Sequence, residues 1–148
     1  MLGAMQAVAS AFKVELVAID VREAAAIERG VAAFAQGSDR GLIVAANPGA
    51  MVHLDLIVAL AARNRLPAVY PYRVFATRGG LISYGSDNPD EWRKAATYMD
   101  RILKGESPAV LPVQQITRYE LVINLKTAKT LGLTVPEKLL ARADELID

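Results

Sequence analysis

Apolar and polar positions alternate along the chain in two rhythms. "VELVAIDV" (14–21) is an apolar, β-branched run of strand length, and "REAAAIERGVAAFAQG" (22–37) is an alanine-rich helical stretch closed by glycine. "GLIVAAN" (41–47) reads as a second buried strand, and "NPGA" turns it into the helix "MVHLDLIVALAARNR" (51–65). The arginines at the end of that helix suit its negative pole. "PAVYPYRV" (67–74) and "LISYGS" (81–86) read as short strands flanking Gly79-Gly80. The next helix has a marked start: Asp87 or Asn88 can cap it, Pro89 fits the first helical position, and Asp90 and Glu91 sit in the first turn. It is expected to run to Lys104 and to stop at Gly105. A polar, proline-punctuated stretch follows, then the strand "YELVINL" (119–125), the short helix "KTAKTLG", and a helix opening at Pro136 in "PEKLLARADELID". At the N-terminus Leu2, Met5, Val8 and Phe12 recur at near-helical spacing.

Near-continuous apolar strands alternating with helices imply βαβ units and a mainly parallel sheet covered on both faces. The expected class is α/β, a three-layer sandwich with right-handed crossovers.

At 148 residues the chain suffices for one domain with its own core. Seventeen basic against sixteen acidic residues leave a formal charge of +1, which gives no electrostatic reason to expect a nucleic acid or an anionic membrane as partner. With no cysteine, disulfides, zinc–thiolate sites and thiol chemistry are excluded. The longest apolar run, "LIVALAA", is far too short to span a bilayer. The N-terminal "MLGAMQAVASAF" has small residues near Ala9 and Ala11, as a cleavage site would. It has no basic n-region, however, and reads as an amphipathic helix. A chain that opens in mid-helix is expected to lack something upstream.

In open α/β sheets ligands bind beyond the carboxyl ends of the parallel strands. No GxGxxG follows a strand and no Walker lysine follows a glycine loop. The turn Asn47–Ala50 could present backbone N–H groups to an anion, or be an ordinary turn into a helix. His53, the only histidine, sits early in a core-forming helix with no nucleophile elbow or second metal ligand at suitable spacing. "SDNPDE" is rich in oxygen ligands but lacks the alternation of a calcium loop, and helix capping accounts for it. An enzyme would need a nucleophile–base pair, and the sequence offers none. The segment 70–92 is denser in chemistry: Tyr70, Tyr72, Arg73, Phe75, Tyr84 and the single tryptophan. Tyr70 and Tyr72 share a strand face, and Arg73 at the strand end could take a carboxylate in a bidentate pair. Aromatic walls with a few fixed polar groups make a small-molecule pocket. Tyrosines also gather at strand ends because the ring packs while the hydroxyl reaches water. The pattern admits both readings.

"GGLISYG", "ILKGESPAVLPVQQ" and "ELVINLKTAKTLGLTVP" resemble the C-terminal half of the TrpX-like ABC-transporter substrate-binding proteins, and "ALAARNRLPAVY" extends the likeness back along the chain. The resemblance implies a type I periplasmic-binding-protein fold, in which two α/β lobes close on a small solute and deliver it to a membrane permease without catalysis or cofactor. It implies that 1–74 forms the second-lobe core, 75–105 a crossing strand and helix, and 106–148 a return strand and C-terminal helices. The ligand-binding residues it implies are Asn47, Pro48, Tyr72, Arg73, Ser83, Tyr84 and Gly85. Family members are about twice this length, so the first lobe is expected to be missing and the helix 89–104 to lack its docking surface. That leads to an expected homo-oligomer, with exchanged elements as one form of it. Expected functions are then capture of an amino acid or related carboxylate or, alternatively, a ligand-free structural or regulatory assembly. The resemblance implies the periplasm; without a signal, the chain as written is expected in the cytoplasm.

Overall fold

The computed structural model describes residues 2–86, 88–115 and 118–148. The chain begins with α1 (Leu2–Ala9) and α2 (Ala24–Phe34), followed by β1 (Leu42–Ile43), α3 (Pro48–Val52), α4 (Leu54–Arg63) and β2 (Ala68–Tyr70). It continues through α5 (Arg73–Thr77), β3 (Ile82–Ser86), α6 (Asn88–Leu103), a short 3-10 turn (Pro108–Val110), β4 (Tyr119–Asn124), α7 (Leu125–Thr130), α8 (Glu137–Leu140) and β5 (Glu145–Ile147).

The strands form one five-stranded sheet in the order β1-β2-β3-β4-β5. Pairing is parallel from β1 to β3 and again from β4 to β5, with a single antiparallel pairing between β3 and β4. The sheet is therefore mainly parallel with helices packed on it, as the alternating pattern implies.

Helix packing follows from residue spacing. Ile27 and Val31, one turn apart in α2, are both buried, as are Leu54, Ile57, Val58 and Ala61 of α4. They meet Tyr70 and Phe75, whose rings stack at 5.0 Å, in one hydrophobic core. Burial of this kind contributes roughly 1.5–3 kcal/mol for each large apolar side chain. Val122 and Ile123 of β4 are fully buried as well.

Several expected elements differ in the structure. Residues 14–21 make no strand: no backbone ladder joins them to β1 or to any other strand among the described residues. β-Branched composition favours a pleated surface, but a strand also needs a partner edge. The helix foreseen over 51–65 is two helices that break at His53 (φ −103°, ψ 24°), a half-buried junction residue. The strand foreseen over 67–74 ends at Tyr70, and Arg73 is the first residue of α5 rather than the end of a strand. Pro71 breaks the strand because it supplies no N–H to the ladder. The C-terminal helix stops at Leu140, and β5 follows where more helix was expected. Asp144 sets this up, since its backbone N–H donates to the Leu121 carbonyl while its carboxylate accepts the Leu121 N–H at 2.8 Å. The helix expected over 89–104 is present as α6, but Asp87 and the Asn88 side chain, the foreseen caps, lie outside the described residues. α6 leaves Trp92, Met99 and Leu103 exposed.

Candidate functional site

β1, β2 and β3 run in the same direction, so their carboxyl ends open on one edge of the sheet. The loops foreseen as functional gather there. Since β4 runs against β3, with Ser86 opposite Tyr119 and Gly85 opposite Glu120, its first residues arrive at that same edge.

Asn47 leaves β1 in an extended conformation and caps α3, its Oδ1 accepting the Ala50 N–H at 2.9 Å. Pro48 takes the first position of that helix, where its missing N–H costs nothing. Both stand in the turn after β1, the outermost strand of the row. Asn47 is half-buried with one side-chain acceptor already used, and Pro48 is exposed.

Tyr72 precedes α5 in extended conformation and packs partly on the core. Arg73 is where the electrostatics concentrate. Its Nε and Nη2 donate to the two carboxylate oxygens of Glu145 at 2.8 and 2.7 Å, and Glu120 stands 3.9 Å away. The hydrogen-bonded Glu145 carboxylate, with Glu120 adding to the field, raises the arginine's pKa further above its ordinary value. The bidentate geometry foreseen for a ligand carboxylate is thus filled by the protein's own glutamate.

Ser83 is 1% exposed in the middle of β3, next to Tyr70 and Val122 in the register, and its Oγ has no hydrogen-bond partner among the described residues. Alternation puts Tyr84 on the opposite face, exposed, where its ring stacks on Tyr119 at 5.6 Å. The two tyrosines are diagonal neighbours across the antiparallel pair. Gly85 leaves room for the chain after β2: a Cβ there would lie 1.8 Å from the Pro71 carbonyl oxygen. That close approach couples the end of β3 to the turn carrying Tyr72 and Arg73. Tyr70, by contrast, belongs to the core, and burial pushes its phenol up to about 12.

The structure therefore brings Tyr72, Arg73 and Gly85 together with Glu120 and Glu145, keeps Ser83 beneath them, leaves the Tyr84–Tyr119 stack on the opposite face of the same edge, and sets Asn47 and Pro48 at the row's far end. Sequence reasoning missed Tyr119, Glu120 and Glu145. The first two open a strand that had been recognised, so the antiparallel return was the available signal. Glu145 carried none while its segment read as helix. Among the described residues no three histidine or acidic side chains are grouped to hold a metal ion, and no helix is long and apolar enough to cross a membrane.

In a mainly parallel α/β unit, the carboxyl edge of the sheet, where polar and aromatic groups gather here, is where folds of this class receive ligands. The model of the ABC transporter substrate-binding protein family matches residues 2–147, and the chain belongs to that family. Among solved structures it is similar to a conserved domain protein from Vibrio cholerae O1 biovar El Tor, at 26% identity and a TM-score of 0.84, covering 98% of this chain and 49% of that one. It is also similar in fold to an ABC domain in complex with L-Trp from Streptococcus pneumoniae (24% identity, TM-score 0.84, 99% of this chain and 50% of that one). A third similar fold is a substrate-binding protein with adhesive properties from Clostridium difficile in its ligand-free, open form (18% identity, TM-score 0.69, 99% of this chain and 48% of that one). The chain spans about half the length of these solved relatives. No curated protein sequence matches it.

Proposed function

We propose that this chain forms one lobe of the solute receptor of an ABC-type importer and presents the carboxyl edge of its sheet to a small organic solute, an amino acid or related carboxylate. The observation that carries this is that Tyr72, Arg73 and Gly85 on one face, and the Tyr84–Tyr119 stack on the other, stand at the same carboxyl end of β2 and β3 in a member of this family. A similar fold holds L-Trp, which supports the amino-acid class. In this reading Tyr72 and the Tyr84–Tyr119 stack supply aromatic surface, Arg73 meets the carboxylate, and Asn47, Pro48, Ser83 and Gly85 shape the wall. The receptor hands its solute to a membrane permease outside the cytoplasm.

Titration calorimetry with L-Trp and a panel of amino acids tests the proposal. Binding should be measurable, and Arg73→Ala should weaken it, by about 1 kcal/mol where the fork stays open to water and by about 1.5–3 kcal/mol where water is excluded from it. Unchanged affinity in that variant would remove Arg73 from the site.

A second reading is favoured by two observations: Arg73 is already paired with Glu145, and α6 exposes Trp92, Met99 and Leu103. In it the chain is a homo-oligomer, with exchanged elements in one version, and the site is left empty in a structural or regulatory assembly. Native mass spectrometry separates the two readings, because a retained small mass belongs only to the first.

A further inference from the structure

An apolar slot of about 270 Å³ lies between residues 15–19 and residues 41–45, floored by Ile27, Val31 and Phe34 of α2 and Ile57 of α4, and reaches Asn47 at its end. Both walls are lined by consecutive residues. A strand that turned a face to the slot would contribute every second residue, so these segments meet it edge-on. β1 shows the same thing through its hydrogen bonds. The N–H groups of Leu42 and Val44 donate to the carbonyls of Pro67 and Val69 on the β2 side. Ile43 and Ala45 therefore point their N–H and C=O groups toward the slot, and among the described residues neither N–H is engaged.

The wall at 14–21 is in no position to satisfy them. Ile19 is packed against α2 so closely that a Cβ on Gly30 would come within 2.6 Å of its Cγ2. The Val21 carbonyl lies against α3, 2.9 Å from where a Cβ on Gly49 would stand. These contacts hold the segment on the helices, and a space remains between it and β1. An apolar, β-branched run without a ladder, an unpaired sheet edge and an apolar floor thus face one another across an opening.

We propose that this slot seats one extended β-strand, inserted between residues 14–21 and β1, and that the strand belongs to the complementary half of a substrate-binding protein. The occupant follows from the comparisons: the chain matches 98–99% of itself but only 48–50% of each solved relative, so those proteins carry as much chain again. Among the described residues a second copy offers the 14–21 run and the edge strands β1 and β5, and these are already held against its own helices or in its own sheet. Insertion gives Ile43 and Ala45 their backbone partners and turns 14–21 into the strand that its composition favours. Strand addition of this kind draws its affinity from main-chain bonds and its selectivity from side-chain pockets, here the slot's apolar floor.

The test is amide hydrogen exchange at residue resolution on the full chain, without any solute, so that it stands apart from the ligand proposal. The probe is a set of overlapping synthetic peptides tiling the half of the Vibrio cholerae relative that this chain does not match. One stretch of that tiling should slow exchange at Ile43 and Ala45 saturably, by about tenfold at a peptide concentration ten times its Kd. Protection should appear in 14–21 at the same time and leave β4 and β5 unchanged. A proline-substituted version of the active peptide, lacking the central N–H, should lose the effect. Three results would overturn the inference. The first is that no peptide protects these amides. The second is that they are already protected in dilute protein, meaning that the chain closes its own slot. The third is protection that rises with protein concentration alone, which would give the slot to a second copy.

Discussion

Replacing Gly85 with alanine is the sharpest test of how the carboxyl edge is assembled. The added Cβ would lie 1.8 Å from the Pro71 carbonyl oxygen and 2.9 Å from its carbon. Ordinary van der Waals contact begins at 3.4 Å, so the shortfall at the oxygen is 3.4 − 1.8 = 1.6 Å. No rotamer change relieves it, because the atoms it meets are backbone. β3 cannot retreat freely, since Gly85 is paired with Glu120 on one side while Ser83 is paired with Tyr70 on the other. Overpacking in well-ordered regions costs about 1–3 kcal/mol, and a backbone-on-backbone clash belongs at the upper end. A loss of about 3 kcal/mol lowers the urea midpoint by about 1–2 M and the thermal midpoint by roughly 6–12 °C. Gly3→Ala is the control: its Cβ would meet nothing within 4 Å, and alanine is favoured over glycine in a helix by about 0.5–1 kcal/mol. If Gly85→Ala unfolds at the wild-type midpoint, the close approach of Pro71 to β3 is not a constraint, and the coupling argued for Tyr72 and Arg73 fails.

Other expectations rest on single groups. Ser83→Ala removes a buried hydroxyl without a partner among the described residues and should stabilise the fold by about 1 kcal/mol in denaturant melts; a loss of stability would mean that the hydroxyl is bonded after all. Arg73→Ala should cost the fold no more than about 1 kcal/mol because the Glu145 pair is half in solvent, and a larger loss would make the pair structural. Glu145→Gln should tighten binding of a carboxylate solute by releasing Arg73, with calorimetry as the readout and an unchanged Kd as the contrary result. Asp20 is held at about 2, chiefly by hydrogen bonds from the Arg22 side chain and backbone. Because its folded pKa lies below the ordinary 3.8, its stabilising contribution is complete above that value and fades as pH falls toward 2. An NMR titration should place the Asp20 midpoint near 2 and move it upward in Arg22→Ala; a midpoint that ignores Arg22 would dismiss the pair.

Local signals made much of this architecture legible in the sequence. The run "YELVINL" and the Pro-Asp-Glu start of α6 appear where their chemistry puts them, because alternation and helix-start residues act over a few positions. What escaped was set by distant partners. The segment 14–21 has the composition of a strand, yet the edge it would pair with lies across the slot. Residues 73–77 became a helix because Pro71 ended β2 and Phe75 and Ala76 could then be buried against β3 and β4. β5 was hidden in a stretch of good helix formers, where Asp144 redirects the backbone to Leu121. In the site, the tyrosines and Arg73 were visible as residue types, but the carboxylates that face Arg73 come from 47 and 72 positions further along.

Those carboxylates follow from the one antiparallel pairing in the sheet. With β4 and β5 reversed, their opening residues are delivered to the edge where β1 to β3 end, so a basic group after β2 meets acidic groups from the return strands. Arg73 is thereby oriented before any solute arrives, but it is also neutralised. In the proposed reading a solute carboxylate exchanges with Glu145 for the same guanidinium fork, trading one charge-assisted pair for another. In water such an exchange yields little free energy, since exposed pairs contribute at most about 1 kcal/mol. It becomes selective only where the surrounding dielectric falls, as when a second lobe closes over the edge and excludes water. In that reading the carboxyl edge of this chain is one wall of a cleft whose discrimination depends on the wall opposite.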